Sequence, residues 1–389
     1  MILTQCAVCA TELGLSLGKK CGRCSTRYCG PECQVQHWKE GGHDQLCKKI
    51  KKAGGAEQHN ANKKYTEAVA VAAEACAEDT KGETCYICTQ ALHWKTKEGL
   101  VRGCACRGTA GFAHVSCLAE QAKILVDEGM ENHLDEKVLQ ERWARWMVCS
   151  QCDQQYHGVV ACALGWACWK TYVGRSEEDN SRLSAVQVLG NGLYAADHYE
   201  DALSVQVADL ALVRRVGAPE YNILLAQANL AGTYEALGRP EALQMKRDVY
   251  TGYLRLYGEE GGDTITAASN YARCLTNLRR FEEAKSLLRK TMPVARRVIG
   301  DSDEVTLRMR SVYALALCKD TGATLDDLRE GVTTLEEIER IARQVFGGAN
   351  PLVMQIAQNL GCARALLGAR DGTAAVDALR EAMAALGRA

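Results

Sequence analysis

The segment NLAGTYEALGRPEA, residues 229–242, decides the fold of this chain because three of its features recur along the sequence. They return in the same order at intervals of about 42 residues, an order that chance recurrence in an alanine-rich helical chain does not explain. The recurring residues are a small residue inside one helix (Ala231, Ala272, Ala314), an alanine early in another (Ala202, Ala242, Ala284) and a glycine that follows a hydrophobic residue (Gly217, Gly258, Gly300, Gly347). The sequence therefore predicts stacked helical pairs, whose alanines are small because the helices approach closely.

The pattern N-L-A-x-x-Y-x-x-L-G-R at 229–239 resembles tetratricopeptide repeats. The longer period and the EEA motif at 282–284 resemble the repeats of the kinesin light chain. This resemblance covers roughly residues 185–389. It implies an α-helical solenoid whose concave groove is lined by the first helix of each pair.

Two asparagines occupy matching places in these repeats, and they are the candidate groove residues. Asn229 and Asn270 each stand two residues before a repeat alanine, and Arg273 directly follows the alanine at 272. In the next repeat the matching residue is Val312. An amide side chain donates and accepts hydrogen bonds at once, so it can hold an extended peptide backbone without reading its sequence. The alternative is that these asparagines are solvated or pair with a neighbouring helix.

The composition indicates a globular chain with a metal-binding part. The chain has 389 residues, 47% hydrophobic and 24% charged, with a formal net charge of -1 that does not point to a polyanionic partner. Fifteen of the 20 cysteines precede residue 153. The first residues, MILTQCAVCA, lack the pattern of a secretory signal, so we expect zinc sites rather than disulfides. The expected location is cytoplasmic or nuclear, not secreted.

No apolar run reaches the ~18 residues that a membrane span requires, and no membrane association is expected. The nearest run, residues 158–173, is short and contains Lys170. Its Cys162 and Cys168 could be imagined as a further zinc site, but no partner has ligand spacing, and packing within a buried helix is the favoured interpretation.

The first cysteine cluster has eight potential ligands in four short pairs. Each pair is spaced so that both side chains can face one ion, and no coordination position stays open, which is typical of structural zinc. The pairs are Cys6 with Cys9, Cys21 with Cys24, Cys29 with Cys33, and His43 with Cys47.

This cluster resembles a MYND finger in Tyr28-Cys29, Cys33-Gln34, Trp38 and the final His-Cys pair. The resemblance implies interleaved ligands, with Cys6, Cys9, Cys29 and Cys33 at one site and Cys21, Cys24, His43 and Cys47 at the other. His37, beside Trp38, could also serve as the histidine ligand. His43 is preferred because its spacing to Cys47 matches one helical turn. The family binds proteins, often through proline-containing peptides. With its zinc counted, this finger is only weakly basic, so nucleic acid is not the expected partner.

The second cluster again offers eight ligands, in the order four Cys, one His, three Cys. This order is shared by PHD fingers and RING-CH (RING-variant) fingers, and the string CACRGTAGFAHVSCL at 104–118 is close to the latter. That resemblance implies one zinc on Cys85, Cys88, His114 and Cys117 and another on Cys104, Cys106, Cys149 and Cys152. His93 and His133 fall outside the pattern and are expected at the surface. In all, four zinc ions are predicted.

RING-CH fingers act as ubiquitin ligases by presenting a ubiquitin-conjugating enzyme. Ile87 lies where the family has its key apolar contact, but Gln121 stands where a Trp is usual, and Ser150 and Gln151 fill a pair that often contains Pro. The expectation is therefore a scaffold or adaptor that recruits proteins or peptides, with ligase activity as the alternative.

Taken together, the sequence predicts a mainly α chain in five parts. They are a MYND-type finger at 1–50, a linker and helix at 51–80, a RING-CH-like finger at 81–157, a connecting helix at 158–184, and tetratricopeptide-like repeats at 185–389.

Overall fold

The structure, a computed structural model, describes residues 4–15, 17–348 and 350–386, with side chains up to residue 372. Residues 1–3, 16, 349 and 387–389 of the predicted domains lie outside the described residues. The chain divides into two compact units, of which the first ends at Gly238 and the second begins at Arg239.

The first unit begins with a small antiparallel ribbon and continues as helices. The ribbon pairs Lys19 with Tyr28 and Lys20 with Arg27. The elements are β1 (Lys19–Lys20), β2 (Arg27–Tyr28), α1 (Pro31–Lys39), α2 (His43–Lys52), α3 (Ala56–Ala75), α4 (Val115–Glu131), α5 (Glu136–Trp143) with a 3₁₀ turn at Ala144–Trp146, α6 (Gly158–Tyr172), α7 (Asn180–Ala195), α8 (Tyr199–Arg215) and α9 (Glu220–Ala236).

The second unit is helical throughout its described residues. Its helices are α10 (Glu241–Tyr257), α11 (Gly262–Asn277), α12 (Phe281–Val298), α13 (Glu304–Lys319), α14 (Leu325–Phe346) and α15 (Pro351–Leu386). Alternate helices begin at residues 180, 220, 262, 304 and 351, in steps of 40, 42, 42 and 47. The mainly α fold, with two cysteine-rich segments followed by repeated helical pairs, is confirmed.

The recurring glycines and alanines have the physical roles that their spacing suggested. Gly217, Gly258, Gly300 and Gly347 each follow a helix with φ between 66° and 96°, a backbone region that favours glycine. Ala231, Ala272 and Ala314 are fully buried. Ala272 packs with Leu288 and Met309 in the core of the second unit. Small side chains therefore let neighbouring helices approach closely.

Both cysteine-rich segments are built onto the helices of the first unit. The Thr4 and Ser204 hydroxyls lie 2.9 Å apart, which joins the N-terminal segment to α8. The Tyr65 hydroxyl of α3 lies 2.9 Å from the Ser116 hydroxyl at the start of α4. The fingers are thus fixed to a helical framework rather than tethered by free linkers.

Helix α6 lies at the centre of this framework. It packs on α3 and α7, and Cys162 and Cys168 are buried within it. The Lys170 Nζ atom lies 4.1 Å from the centre of the Tyr65 ring, and this cation–π contact stabilises its charge. No helix among the described residues combines the length and apolarity needed to cross a bilayer.

Candidate metal centres

The structure brings sixteen cysteine and histidine side chains together in four groups of four. Within each group the potential ligand atoms all lie within 4.8 Å of one another. The groups are Cys6, Cys9, Cys29 and Cys33; Cys21, Cys24, His43 and Cys47; Cys85, Cys88, His114 and Cys117; and Cys104, Cys106, Cys149 and Cys152. Hereafter these are tetrads one to four.

The distances inside the tetrads fit tetrahedral zinc. Zinc–sulfur bonds of ~2.3 Å imply about 3.8 Å between two sulfurs of one tetrahedron. The Sγ atoms of Cys21 and Cys47 lie 3.9 Å apart, and those of Cys106 and Cys149 lie 3.8 Å apart. Those of Cys9 and Cys29 lie 3.4 Å apart. The four tetrads are therefore compatible with four zinc ions, and each offers a closed set of four donors, which suits a structural ion rather than a catalytic one.

Tetrad two is fully buried, and its histidine is His43. The His43 Nε2 atom lies 3.4 Å from Cys24 Sγ. His37 lies outside this tetrad, and its Nδ1 atom is 3.0 Å from the Tyr28 hydroxyl. Tyr28 is itself buried beneath the cysteines. His37 thus lies in the shell around the site, where it supports Tyr28.

His114 of tetrad three is oriented by a second contact. Its Nδ1 atom lies 3.4 Å from Cys88 Sγ, and its Nε2 atom lies 3.4 Å from the Ala91 carbonyl oxygen. A hydrogen bond from Nε2 to this carbonyl would leave Nδ1 free for the metal, the arrangement common for zinc-binding histidines.

One expectation about the histidines was wrong. His93 is buried, not at the surface: its ring centre lies 5.3 Å from that of His114, and its Nδ1 atom is 2.8 Å from the Thr96 hydroxyl. The histidine is enclosed because residues 91–98 fold back over tetrad three, where the His93 amide donates to the Glu98 carbonyl. His133 is exposed, as expected.

The thiols of a tetrad cannot all ionise without a cation. In tetrad four, the hydrogen bond with Cys104 lowers the pKa of Cys149 to about 5, and the same contact raises the pKa of Cys104. In tetrad one, hydrogen bonds from Thr11 lower the pKa of Cys9 to about 6, while the contact with Cys29 raises the pKa of Cys33 to about 12. One thiolate is thus stabilised by neighbours that keep their protons, and a divalent cation would displace those protons.

The candidate contact residues of the second finger lie at its surface. Ile87, between two cysteines of tetrad three, is 37% exposed. Gln121 is half-buried on α4, where the family's aromatic residue would lie. Leu92 and Trp94, in the segment that covers tetrad three, are more exposed than Ile87. Sequence reasoning missed these two residues because their loop lies outside the ligand pattern.

The candidate groove residues are divided between the two units. Asn229 is half-buried on α9, in the first unit. Asn270 and Arg273 are half-buried on α11, in the second. Val312, the residue of the next repeat that matches the two asparagines, packs in the core of the second unit and is therefore structural.

Comparison with protein families assigns both cysteine-rich segments. The MYND finger family matches residues 6–47, and the RING-variant domain family matches residues 85–131. The second match ends before Cys149 and Cys152, which follow α4 and α5 along the chain. No curated protein matches the chain.

The chain is also similar to solved structures of helical repeats. One is BtubC (BKLC) from P. vanneervenii, at 15% identity, with 70% of this chain and 92% of that chain covered and a TM-score of 0.40. Another contains the nearly identical TPR-like repeats of a Podosopora anserina protein named as a kinesin light chain, at 17% identity, with 59% and 97% covered and a TM-score of 0.37. Residues 6–47 thus match the MYND finger family and residues 85–131 match the RING-variant domain family, and repeated helical pairs follow these two segments along the chain.

Proposed function

We propose that this protein is a zinc-dependent interaction scaffold that recruits partner proteins through its MYND finger and its helical repeats. The sixteen tetrad residues act as zinc ligands that hold the fingers in shape. Zinc in these closed sites supplies folding energy, and the apolar core of such short segments is too small to replace it.

The observation that carries this proposal is an exposed apolar surface on the MYND finger. Val35 and Trp38 of α1 and Leu46 of α2 are each between 44% and 51% exposed. Another part of the finger is already in contact with the helices of the first unit, since Arg27 is buried beside Glu57 of α3. An exposed tryptophan on a fixed support suits proline-containing peptides, which dock on aromatic side chains at little entropic cost.

Capture of a fluorescein-labelled proline-containing peptide library by the purified chain tests this surface. Trp38→Ala should lose the captured peptides while native mass spectrometry still shows four zinc ions. Met354→Ala, which removes an exposed apolar side chain from α15, is the control and should capture normally. Equal capture by both variants would contradict the assignment of Trp38.

The helical repeats supply further proposed contacts with the backbone of a partner segment, from Asn229 in the first unit and from Asn270 and Arg273 in the second. All three residues are half-buried rather than fully enclosed. Asn229→Ala combined with Asn270→Ala should weaken partner capture at an unchanged melting temperature. A lowered melting temperature would instead show that the asparagines are structural.

A second candidate function is ubiquitin ligation by the RING-variant finger. The exposure of Ile87 favours it, because a conjugating enzyme would need this side chain at the surface. Chain formation with a panel of conjugating enzymes, abolished by Ile87→Ala without loss of zinc, would establish ligase activity. Inactivity across the whole panel would leave the scaffold function alone.

A further inference from the structure

The loop of residues 91–98 carries an apolar tip, formed by Leu92 and Trp94, in the segment that matches the RING-variant domain family. Trp94 is 68% exposed, more than any other tryptophan of the chain, and Leu92 is 58% exposed. The two side chains together leave on the order of 300 Å² of apolar surface in water. Neither is a zinc ligand or part of the contact surfaces proposed above. Two large apolar side chains exposed to this extent indicate a contact surface of their own.

The backbone of the loop holds this tip in a fixed shape. His93, between the two exposed residues, is buried against the ring of His114. Its amide donates to the Glu98 carbonyl at 3.0 Å, and its carbonyl accepts from the Lys97 amide at 2.9 Å. The Thr96 amide donates to His93 Nδ1 at 3.1 Å. Because the middle residue is anchored, the tip is held ready for contact, and little conformational entropy is lost when it binds.

Two lysines lie beside the tip without a carboxylate partner. Lys95 and Lys97 are exposed, and neither forms an ion pair with the residues that the structure describes. The neighbouring carboxylate, that of Glu98, instead accepts hydrogen bonds from the amide and the hydroxyl of Ser116, at 2.7 and 2.9 Å. The loop therefore presents two ammonium groups next to its exposed apolar side chains.

The surface next to Leu92 adds no further net charge. A shallow groove of about 310 Å³ lies there, lined mostly by alanines, leucines and glycines. Glu83 is the charged residue of this lining, and Lys81, two residues earlier, is exposed. Since one negative and one positive charge lie on this side, the two lysines of the loop decide the sign of the charge around the tip.

The size and form of the tip favour a membrane surface over a protein partner. A stable protein–protein interface buries roughly 800 Å² on each partner, more than twice the apolar area of the tip. A protein would also need a pocket shaped to receive the projecting side chains, whereas lipid molecules rearrange around them. Tryptophan concentrates where headgroups meet acyl chains, and lysines near the surface are attracted by anionic lipids. Size, form and charge together therefore favour an anionic bilayer.

We propose that Leu92 and Trp94 insert into the interfacial region of an anionic phospholipid bilayer, with Lys95 and Lys97 on the lipid headgroups. Two apolar side chains and two lysines give weak, reversible binding rather than permanent anchoring. Such a peripheral contact differs from the expectation drawn from hydropathy, because a run of ~18 apolar residues reports only segments that span the bilayer. The proposal goes beyond the scaffold function and would hold if the Trp38 surface were inactive.

Vesicle sedimentation at millimolar lipid tests the proposal on the full, zinc-loaded chain. Vesicles of equimolar phosphatidylcholine and phosphatidylserine should sediment the protein, pure phosphatidylcholine vesicles should not, and added NaCl should release it. Lys95→Gln combined with Lys97→Gln should weaken binding about tenfold. Lys63→Gln combined with Lys64→Gln removes the same charge from α3, where both lysines already pair with Glu67, and should leave the affinity within about twofold.

Quenching by lipids with brominated acyl chains reads insertion separately from charge. Trp38→Ala, which removes the exposed tryptophan of the MYND finger, should sediment normally and keep a tryptophan emission that these lipids quench. Leu92→Ala combined with Trp94→Ala should lose the quenching and weaken sedimentation about tenfold. Absence of sedimentation with phosphatidylserine vesicles would overturn the proposal, as would equal losses in Trp38→Ala and Trp94→Ala. Self-association of the lipid-free chain that Trp94→Ala abolishes would show a contact between copies instead and would overturn it as well.

Discussion

Glu57 joins the MYND finger to the helices of the first unit, and its removal is the most direct test of how the fingers are held. Its carboxylate lies 3.3 Å from the guanidinium of Arg27 on β2 and 3.1 Å from that of Arg182 on α7. Glu57 itself belongs to the first turn of α3. Glu57→Gln keeps the shape of the side chain and removes the charge shared by three elements.

The magnitude follows from the burial of these groups. The side chains of Arg27 and Arg182 are 3% and 8% exposed, and that of Glu57 is 27% exposed. Breaking a buried ion pair costs about 3–5 kcal/mol. Here Arg27 still donates to the Gly14 carbonyl, Arg182 still donates to two carbonyls, and Glu57 is partly solvated. We therefore expect a loss of about 2 kcal/mol in the unfolding free energy of the first unit.

Tryptophan fluorescence during urea unfolding isolates this effect. All six tryptophans lie between residues 38 and 169, so their emission reports the first unit, while circular dichroism reports both. Glu67→Gln is the matched control, because it lies on the same helix and pairs with Lys63 and Lys64 at the surface. That control should change the unfolding free energy by less than about 0.5 kcal/mol.

The reasoning fails if Glu57→Gln and Glu67→Gln have equal effects on the fluorescence transition. A double-mutant cycle with Arg182→Met separates the ion pair from the effect of a carboxylate at a helix N-terminus. A coupling energy near zero would show that the guanidiniums are satisfied by their carbonyl partners alone.

Three further predictions concern the metal, pH and close packing. Tetrad one should lose its ion to a chelator before the other tetrads, because its Cys9 is exposed. Native mass spectrometry of Cys9→Ser should therefore show three bound ions and no early loss. Early loss of an ion from this variant would contradict the assignment. Burial raises the pKa of Asp209 to about 7, so the folded state is most stable with this carboxyl protonated and loses that stability as the pH rises from about 4 through 7. Asp209→Asn should therefore raise the melting temperature at pH 8 but not at pH 4. Equal shifts of the melting temperature at the two pH values would refute the assignment. A methyl group at Gly331 would meet Cys318 Sγ at 2.3 Å, so Gly331→Ala should cost about 1–3 kcal/mol in a thermal melt, whereas Gly361→Ala, with open space around it, should cost nothing.

Local patterns in the sequence predicted the helical pairs and the grouping of the zinc ligands. A glycine with positive φ after α8, α10, α12 and α14 and a buried alanine inside α9, α11 and α13 are local requirements, so they recur with the repeat. Paired cysteines face one ion because a tight turn or one helical turn separates them. Such constraints act over a few residues, and the sequence displays them directly.

Contacts between residues far apart in the chain have no recurring pattern in the sequence that would predict them. Arg182 and Glu57 are 125 positions apart, and neither stands in a recognisable motif. The burial of His93 depends on a loop that folds over tetrad three, which ligand spacing does not encode.

The contacts around tetrad two indicate that its zinc stabilises more than the finger. The Ala56 amide at the start of α3 donates to the Cys24 carbonyl at 2.8 Å, so a ligand residue also satisfies the end of a helix in the framework. Arg27, which precedes Tyr28 in β2, reaches the same helix through Glu57. Since zinc binding fixes the positions of Cys24 and its neighbours, part of its binding free energy is transmitted to α3 and, through Arg182, to α7. The MYND finger and the helices of the first unit are therefore expected to unfold together when this ion is removed.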